Sequence, residues 1–213
     1  MKELLEKINE AYPLEEISAK EYEHFKVGMM NMTAKGYEAK GLGHVSVMEG
    51  KMPLGIMTMT SFVVNPFDID MPLLSVDMIK AMGNISIYLE QFDTLLNDKR
   101  KEDVFLNILK EYEDLQEGEK KENWYDDILY GCSTIKKGKK KDERRILELR
   151  DTYFNAYLDQ CKDTHECDRI EKKKKADEYS NGLINNGGPS TDVFLKNFGK
   201  ERTEEFFHKV MFG

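Results

Sequence analysis

The feature that most constrains the fold is a change of hydrophobic period between residues 42 and 92. Apolar and polar side chains alternate there in four runs, which is the pattern of half-buried strands. Turn residues join the runs, among them Gly50, Pro53 and the pair Gly83 and Asn84. Such short connections predict antiparallel neighbours, because a parallel crossover needs about a dozen residues or more. The four runs are LGHVSVME, LGIMTMTSFVV, PLLSVDMI and ISIYLEQF.

Helical spacing dominates on both sides of this stretch. A first helix is predicted before Pro13, a second between residues 22 and 32, and two more after residue 100, with room for another strand in WYDDILYGCSTIKK. The C-terminal segment predicts three helices, with a break at NGGPST before the last two. A sheet separated in sequence from its helices predicts an α+β fold, in one domain over residues 1–213. The apolar stripes are Leu4, Leu5, Ile8 and Tyr12; Tyr22, Phe25, Met29 and Met32; Phe105, Ile108, Leu109, Tyr112 and Leu115; and Ile146, Leu149, Tyr153, Tyr157 and Cys161.

Composition limits the possible partners. The chain has 213 residues, 32 of them basic and 40 acidic, with a formal charge of −8. This balance disfavours nucleic-acid binding, since phosphate contacts dominate that affinity. No apolar run approaches the roughly 18 residues of a membrane-spanning helix, and MKELLEKINEAY lacks the order of a secretory signal. Three cysteines, an odd number, fit a reducing compartment. We therefore expect a cytoplasmic monomer without membrane or nucleic-acid partners.

Several local motifs either indicate no function or fit more than one. Cys161, His165 and Cys167 supply only three soft ligands in an unusual spacing, so we expect no metal site. Dinucleotide, P-loop, zincin and hydrolase motifs are missing from the sequence. The basic runs at 136–141 and 172–175 fit either solvated surface or a docking patch for an acidic partner. Ten of the twelve methionines lie between residues 29 and 82, and they suit either a core or a pocket for a large flat ligand.

Two carboxylates are more informative. Asp77 stands inside the apolar strand PLLSVDMI, where it shares a face with Ser75 and Ile79. An ionised carboxylate is costly to bury, so it must face water, have a partner or keep its proton. Glu49 ends the strand two before it, and we expect it on the same face. Taken alone, each carboxylate fits an ordinary structural role as well as a catalytic one.

Several segments, in order from about residue 42 to residue 213, resemble the ferredoxin-dependent bilin reductases. VFLKNFGKERTEEFFHKVMF, at 193–212, is similar to the closing pair of helices in that family. DMPLLSVDMI, at 70–79, is similar to the family's Asp-Leu-Pro-apolar-apolar-Gly-x-Asp strand, and GNIS, at 83–86, to the turn and strand that follow. WYDDILYGCSTIKK is similar to the family's strand that precedes its long helices.

The resemblance implies an α/β/α sandwich, a central antiparallel sheet flanked by helices on both faces, with a tetrapyrrole between the sheet and the C-terminal helices. It implies no metal and no bound cofactor, because ferredoxin, or a similar donor such as flavodoxin, delivers single electrons. Asp77 corresponds to the family's catalytic strand aspartate, which gives up a proton, and Glu49 falls near a second family carboxylate. The expected substrate contacts are Met57, Thr60, Ser75 and Lys136.

The chain also departs from the family pattern. Thr60 stands where phycocyanobilin-forming members have a catalytic histidine, and a threonine cannot donate a proton at neutral pH as an imidazolium can. In the loop GPST, Gly188 replaces an acid and Thr191 an arginine. These departures leave three functions open: reduction of a linear or related tetrapyrrole with Asp77 as proton donor, tetrapyrrole binding without turnover, and a domain for another flat ligand.

Overall fold

The computed structural model describes residues 1–97, 102–188 and 191–213. The strands in these residues are β1 (Leu14–Ile17), β2 (Phe25–Val27), β3 (Met30–Ala39), β4 (Gly43–Lys51), β5 (Met57–Pro66), β6 (Leu73–Ala81), β7 (Asn84–Phe92), β8 (Gln116–Glu117) and β9 (Thr134–Lys139). They form one sheet in the order β1-β3-β4-β5-β6-β7-β9-β8, and β2 pairs with β3. The predicted antiparallel meander is confirmed as β4 to β7, and the extra strand after Trp124 is confirmed as β9.

The helix predicted between residues 22 and 32 is wrong. Most of this segment forms β2 and the start of β3, which turn at Gly28 with φ +59°. Met32 is buried, whereas Met29 is 70% exposed, so the supposed helical stripe does not face one side. Pairing of β3 with β4 along nearly its whole length determines the structure here, because tertiary contacts override a weak local pattern.

Helices cover both faces of the sheet, and the expected α/β/α sandwich is confirmed. The helices in the described residues are α1 (Lys2–Ala11), α2 (Asp103–Glu111), α3 (Glu143–Lys162), α4 (Arg169–Asn186), α5 (Thr191–Phe198) and α6 (Lys200–Phe206). Helices α1 to α3 pack on one side, the α3 face, and α4 to α6 pack on the other, the C-terminal face. The three predicted C-terminal helices are thus confirmed, while the single domain over residues 1–213 stays a prediction.

The α3 face is a closed apolar core. The predicted stripe of α3 is buried against the sheet, and Phe154 packs edge-on against Phe62 of β5 with ring centroids 5.6 Å apart. The hydroxyl of Tyr157 donates to the carbonyl of Pro72 at 2.7 Å, which ties α3 to the start of β6. The close packing beneath α3 leaves little room for a ligand in this part of the sheet.

Polar side chains of the sheet hold the C-terminus on the opposite side. Chain residues 207–211 form a π-helical turn after α6. His44 Nε2 lies 2.8 Å from the carbonyl of Val210, Ser46 donates to that of Met211 at 2.7 Å, and Asn65 donates to that of Phe212 at 2.8 Å. Burial lowers the pKa of His44 to about 4, so the imidazole is neutral at pH 7 and donates through Nε2. These bonds close one half of the C-terminal face.

Candidate active site

Strand pairing places Asp77 on the C-terminal face. Residues directly opposite one another in an antiparallel pair project on the same side of the sheet. Asp77 lies opposite Ser61 of β5, and Ser61 lies opposite Met48 of β4. Met48 is buried against the C-terminal helices. Asp77 therefore projects toward the layer that contains α4 to α6.

The carboxyl of Asp77 is held by two hydroxyl groups. Ser75 Oγ donates to Asp77 Oδ2 at 2.7 Å, and Ser61 provides a second side-chain hydrogen bond. Burial raises the pKa of Asp77 above its ordinary value, and the two hydrogen bonds offset part of the rise. The group is thus oriented and holds its proton more tightly than a carboxyl in water, as a general acid requires.

A second carboxyl, Glu90 of β7, lies on the same face. It is directly opposite Ser75, the residue that donates to Asp77. Burial raises the pKa of Glu90 from 4.5 to about 7, and the charges of Asp77 and Asp126 add to the rise while Lys120 opposes it. Glu90 is not among the site residues predicted from the sequence, although an acid inside the apolar strand ISIYLEQF is a signal that could have identified it.

Three tyrosines surround the carboxyls. Tyr88 lies directly opposite Asp77, Tyr125 comes from the loop after β8, and Tyr179 comes from α4. Burial raises the pKa of each of them, and the charges of Glu90 and Asp77 act in the same direction. All three phenols are therefore neutral at pH 7. Because Tyr125 and Tyr179 lie far from Asp77 in sequence, spacing alone does not reveal them.

The C-terminal helices leave the sheet partly open around Asp77. Ser61 is buried, but the neighbours of Asp77 on β6 and β7 are half-buried, whereas side chains of the α3 face such as Val76 and Leu89 are buried. We call this area the Asp77 patch: Met57, Met59, Ser75, Asp77, Ile79, Ser86, Tyr88, Glu90 and Ile135. It includes the predicted contacts Met57 and Ser75. A surface that combines apolar side chains with convergent polar groups suits a large flat ligand.

Glu49 and Thr60 project away from Asp77. Glu49 lies opposite Thr60, and Thr60 lies opposite Met78, whose side chain belongs to the core of the α3 face. The expectation that Glu49 shares a face with Asp77 is therefore wrong. Neighbouring residues of a strand project on opposite sides, so an error of one residue in register reverses the face. Ser61, rather than Thr60, lies beside Asp77.

A cavity of about 650 Å³ adjoins the Asp77 patch at the ends of β3, β4 and β5. Met32 and Met59 of the C-terminal face line it together with Glu49 and Thr60. Thr60 Oγ1 is buried and has no hydrogen-bond partner among the described residues. A ligand group in this cavity would satisfy that hydroxyl, so Thr60 as a substrate contact stays a prediction.

Lys136 does not face the Asp77 patch. It lies opposite Ile87 on the α3 face, is 2% exposed and pairs with Glu117. A substrate contact from Lys136 therefore does not fit its position on the opposite face. The next residue, Lys137, projects on the C-terminal face instead.

The two basic runs have different environments. In the run 172–175, Lys172 is buried with its Nζ 3.1 Å from Asp70 Oδ1 and 2.6 Å from the carbonyl of Thr94. Lys173 donates to the carbonyl of Gly213, and Lys175 to that of Leu95. Three of the four lysines thus hold internal contacts. At the other run, by contrast, the lysines at 139–141 are exposed.

No group of three or more His, Cys, Asp or Glu side chains in the described parts of the chain is arranged to hold a metal. Cys161 is buried in the core of the α3 face. The same residues contain no helix that is both long enough and apolar enough to cross a membrane.

The fold and the patch define an α/β/α protein with a carboxyl-bearing site between its sheet and its C-terminal helices. A model of the ferredoxin-dependent bilin reductase family matches residues 6–213. The chain belongs to this family of oxidoreductases, and the resemblance seen in its sequence is confirmed.

A solved structure shares the fold. Phytochromobilin synthase from tomato, crystallised in complex with biliverdin, superposes with a TM-score of 0.78 at 14% identity. The match covers 96% of this chain and 78% of the tomato chain. At this identity the likeness shows the fold alone. No curated protein sequence matches the chain.

Proposed function

We propose that this protein reduces a linear tetrapyrrole, with Asp77 as a proton donor and ferredoxin as the source of single electrons. The observation that carries the proposal is the position of Asp77: an oriented carboxyl with a raised pKa at the centre of a half-open patch of apolar and polar side chains. Membership of the family supports the electron donor and the substrate class.

Reduction of the pigment requires both a proton donor and an electron donor. Reduction of one double bond takes two electrons and two protons, and each ferredoxin delivers one electron. An added electron makes the pigment more basic, so a neutral carboxyl within hydrogen-bond distance can then transfer its proton. A pigment lying on the patch would cover the carboxyl and exclude water from it, so that the proton passes to the pigment rather than to solvent.

The electron donor docks, in this proposal, at the strand ends beside the patch. The exposed lysines at 139–141 lie at the end of β9 and directly after it. They are next to the β6–β7 turn, where Met82 is 85% exposed. Leu54, in the β4–β5 turn at the same end of the sheet, is 98% exposed. Apolar contacts surrounded by positive charge suit a transient complex with an acidic protein.

A binding protein without turnover is the second candidate. The observation in its favour is Ser61: the position opposite Asp77 carries a hydroxyl, which cannot supply a proton at neutral pH as an imidazolium can. On this alternative the patch would hold the pigment but leave it oxidised.

Two additions to the purified protein separate the candidates. Biliverdin alone should bind and shift its absorption band, and unchanged absorption would contradict both functions. Addition of a ferredoxin-reducing system should then convert the bound pigment into a reduced product, identified by mass. Binding without conversion would support the second candidate, whereas conversion that survives in Asp77→Asn at the unmodified rate would remove Asp77 as donor.

A further inference from the structure

Reduction of a bilin, on which this inference rests, needs a second proton besides the one from Asp77. The row through Asp77 continues to Ser61 and Met48 on one side and to Tyr88 and Ile135 on the other. None of these side chains is a carboxylic acid, and burial raises the pKa of Tyr88 further above its ordinary value. The second proton must therefore come from another side chain of the Asp77 patch or from water.

Glu90 has the position that this role requires. It lies opposite Ser75 and diagonal to Asp77, and such diagonal neighbours are about 7–8 Å apart. Both carboxyls project on the C-terminal face, and both residues are half-buried rather than enclosed. One flat ligand lying on the patch would cover the two groups together.

The charges around Glu90 favour a retained proton. Asp77 faces it from β6, Asp126 and Tyr125 from the loop after β8, and Tyr179 from α4, while Tyr88 precedes it on β7. Lys120 is the opposing charge that acts on Glu90. Two nearby carboxyls with little compensating charge do not ionise independently, so the charge of either one favours a retained proton on the other.

Asp126, whose charge acts on Glu90, carries a buried hydrogen-bond acceptor. Asp126 Oδ2 accepts from the backbone N–H of Asn123 at 3.2 Å, but its Oδ1 is buried with no hydrogen-bond partner in the parts of the chain that are described. A buried oxygen without a partner is costly, and an N–H donor of a bound pigment would satisfy it. The region around Glu90 thus combines a proton source with an acceptor.

We propose that Glu90 is a second catalytic acid, which delivers one of the two protons while Asp77 delivers the other. The first electron and one proton give a neutral pigment radical, and the second electron and the other proton complete the dihydro product. One carbon–carbon π bond is lost, two bonds to hydrogen form, two ferredoxins are oxidised and two carboxylates remain. Water restores both protons before the next turnover.

The test compares Glu90→Gln with the unmodified protein and with Glu10→Gln, whose side chain is exposed on α1 behind the other face of the sheet. With biliverdin and reduced ferredoxin, Glu90→Gln should form product about 10²–10⁴-fold more slowly and accumulate a radical detectable by electron paramagnetic resonance. Biliverdin affinity should change by less than about threefold, because glutamine keeps the shape and a hydrogen-bonding group.

The pH profile and a rescue distinguish acid catalysis from a structural effect. The unmodified rate should fall as the pH rises above about 7, where Glu90 loses its proton, and this fall should be missing in Glu90→Gln. Glu90→Asp should recover part of the rate. Unaltered turnover and pH profile in Glu90→Gln would overturn the role of Glu90 alone, whereas no reduction by the unmodified protein would overturn the proposed function together with it.

Discussion

Ionisation of Glu90 should destabilise the folded protein as the pH rises, and Glu90→Gln should abolish this destabilisation. The pKa of Glu90 is about 7 in the folded chain, against an ordinary value of 4.5, so the folded state binds this proton more tightly than the unfolded state. Stability from this group therefore declines as the pH rises from about 4.5 to about 7 and stays constant above. Glutamine does not titrate and lacks this decline.

The size of this stability difference follows from the pKa shift of Glu90. Each pKa unit is worth about 1.4 kcal/mol, so the charged form costs at most about 3 kcal/mol above pH 7. Glu90 is partly exposed, and solvent screening reduces the expected difference to about 1–2 kcal/mol. For a chain of this size that corresponds to about 2–8 °C in Tm at pH 8.

Urea unfolding at pH 4 and at pH 8, with Glu10→Gln as the control, measures this difference. Glu90→Gln should match the unmodified protein at pH 4 and exceed it at pH 8. In an Asp77→Asn background the gain at pH 8 should shrink, because the charge of Asp77 contributes to the raised pKa. A difference between Glu90→Gln and the unmodified protein that stays the same at both pH values would refute the reasoning.

Three further predictions concern other parts of the molecule. Asp77→Asn should lower bilin turnover by about 10²–10⁴-fold with little change in pigment affinity, measured by steady-state absorption, and equal rates would exclude proton donation. Reversal of the three charges at 139–141 should slow ferredoxin-dependent reduction and flatten its salt dependence, and unchanged kinetics would assign these lysines to ordinary surface. Lys172→Met should cost about 3–5 kcal/mol in urea unfolding because it leaves Asp70 without its buried partner, and a cost below 1 kcal/mol would show that water replaces the lysine.

Hydrophobic periodicity in the sequence was sufficient to predict much of the fold. Alternation of apolar and polar residues between 42 and 92 predicted β4 to β7. The alternation persists because helices bury one face of these strands fully and the other face only in part. The same alternation placed Asp77 on one face with Ser75 and Ile79, which the structure retains. The strand β3 was missed because Tyr22, Phe25, Met29 and Met32 fit a helix by spacing alone, and the pairing partner that decides the matter lies elsewhere in the chain.

The composition of the site was decided by tertiary structure. Which residue lies beside Asp77 depends on the register between β5 and β6, and a count along the sequence selected Thr60 where pairing selects Ser61. Local pattern predicts that a strand exists but does not fix its register to one residue, and one residue exchanges the two faces. Tyr179 joins the site only because α4 packs on the C-terminal face, and burial beneath such elements is the largest cause of the raised pKa of Glu90. Burial and register are properties of the assembled layers, so neither could be derived from the order of residues alone.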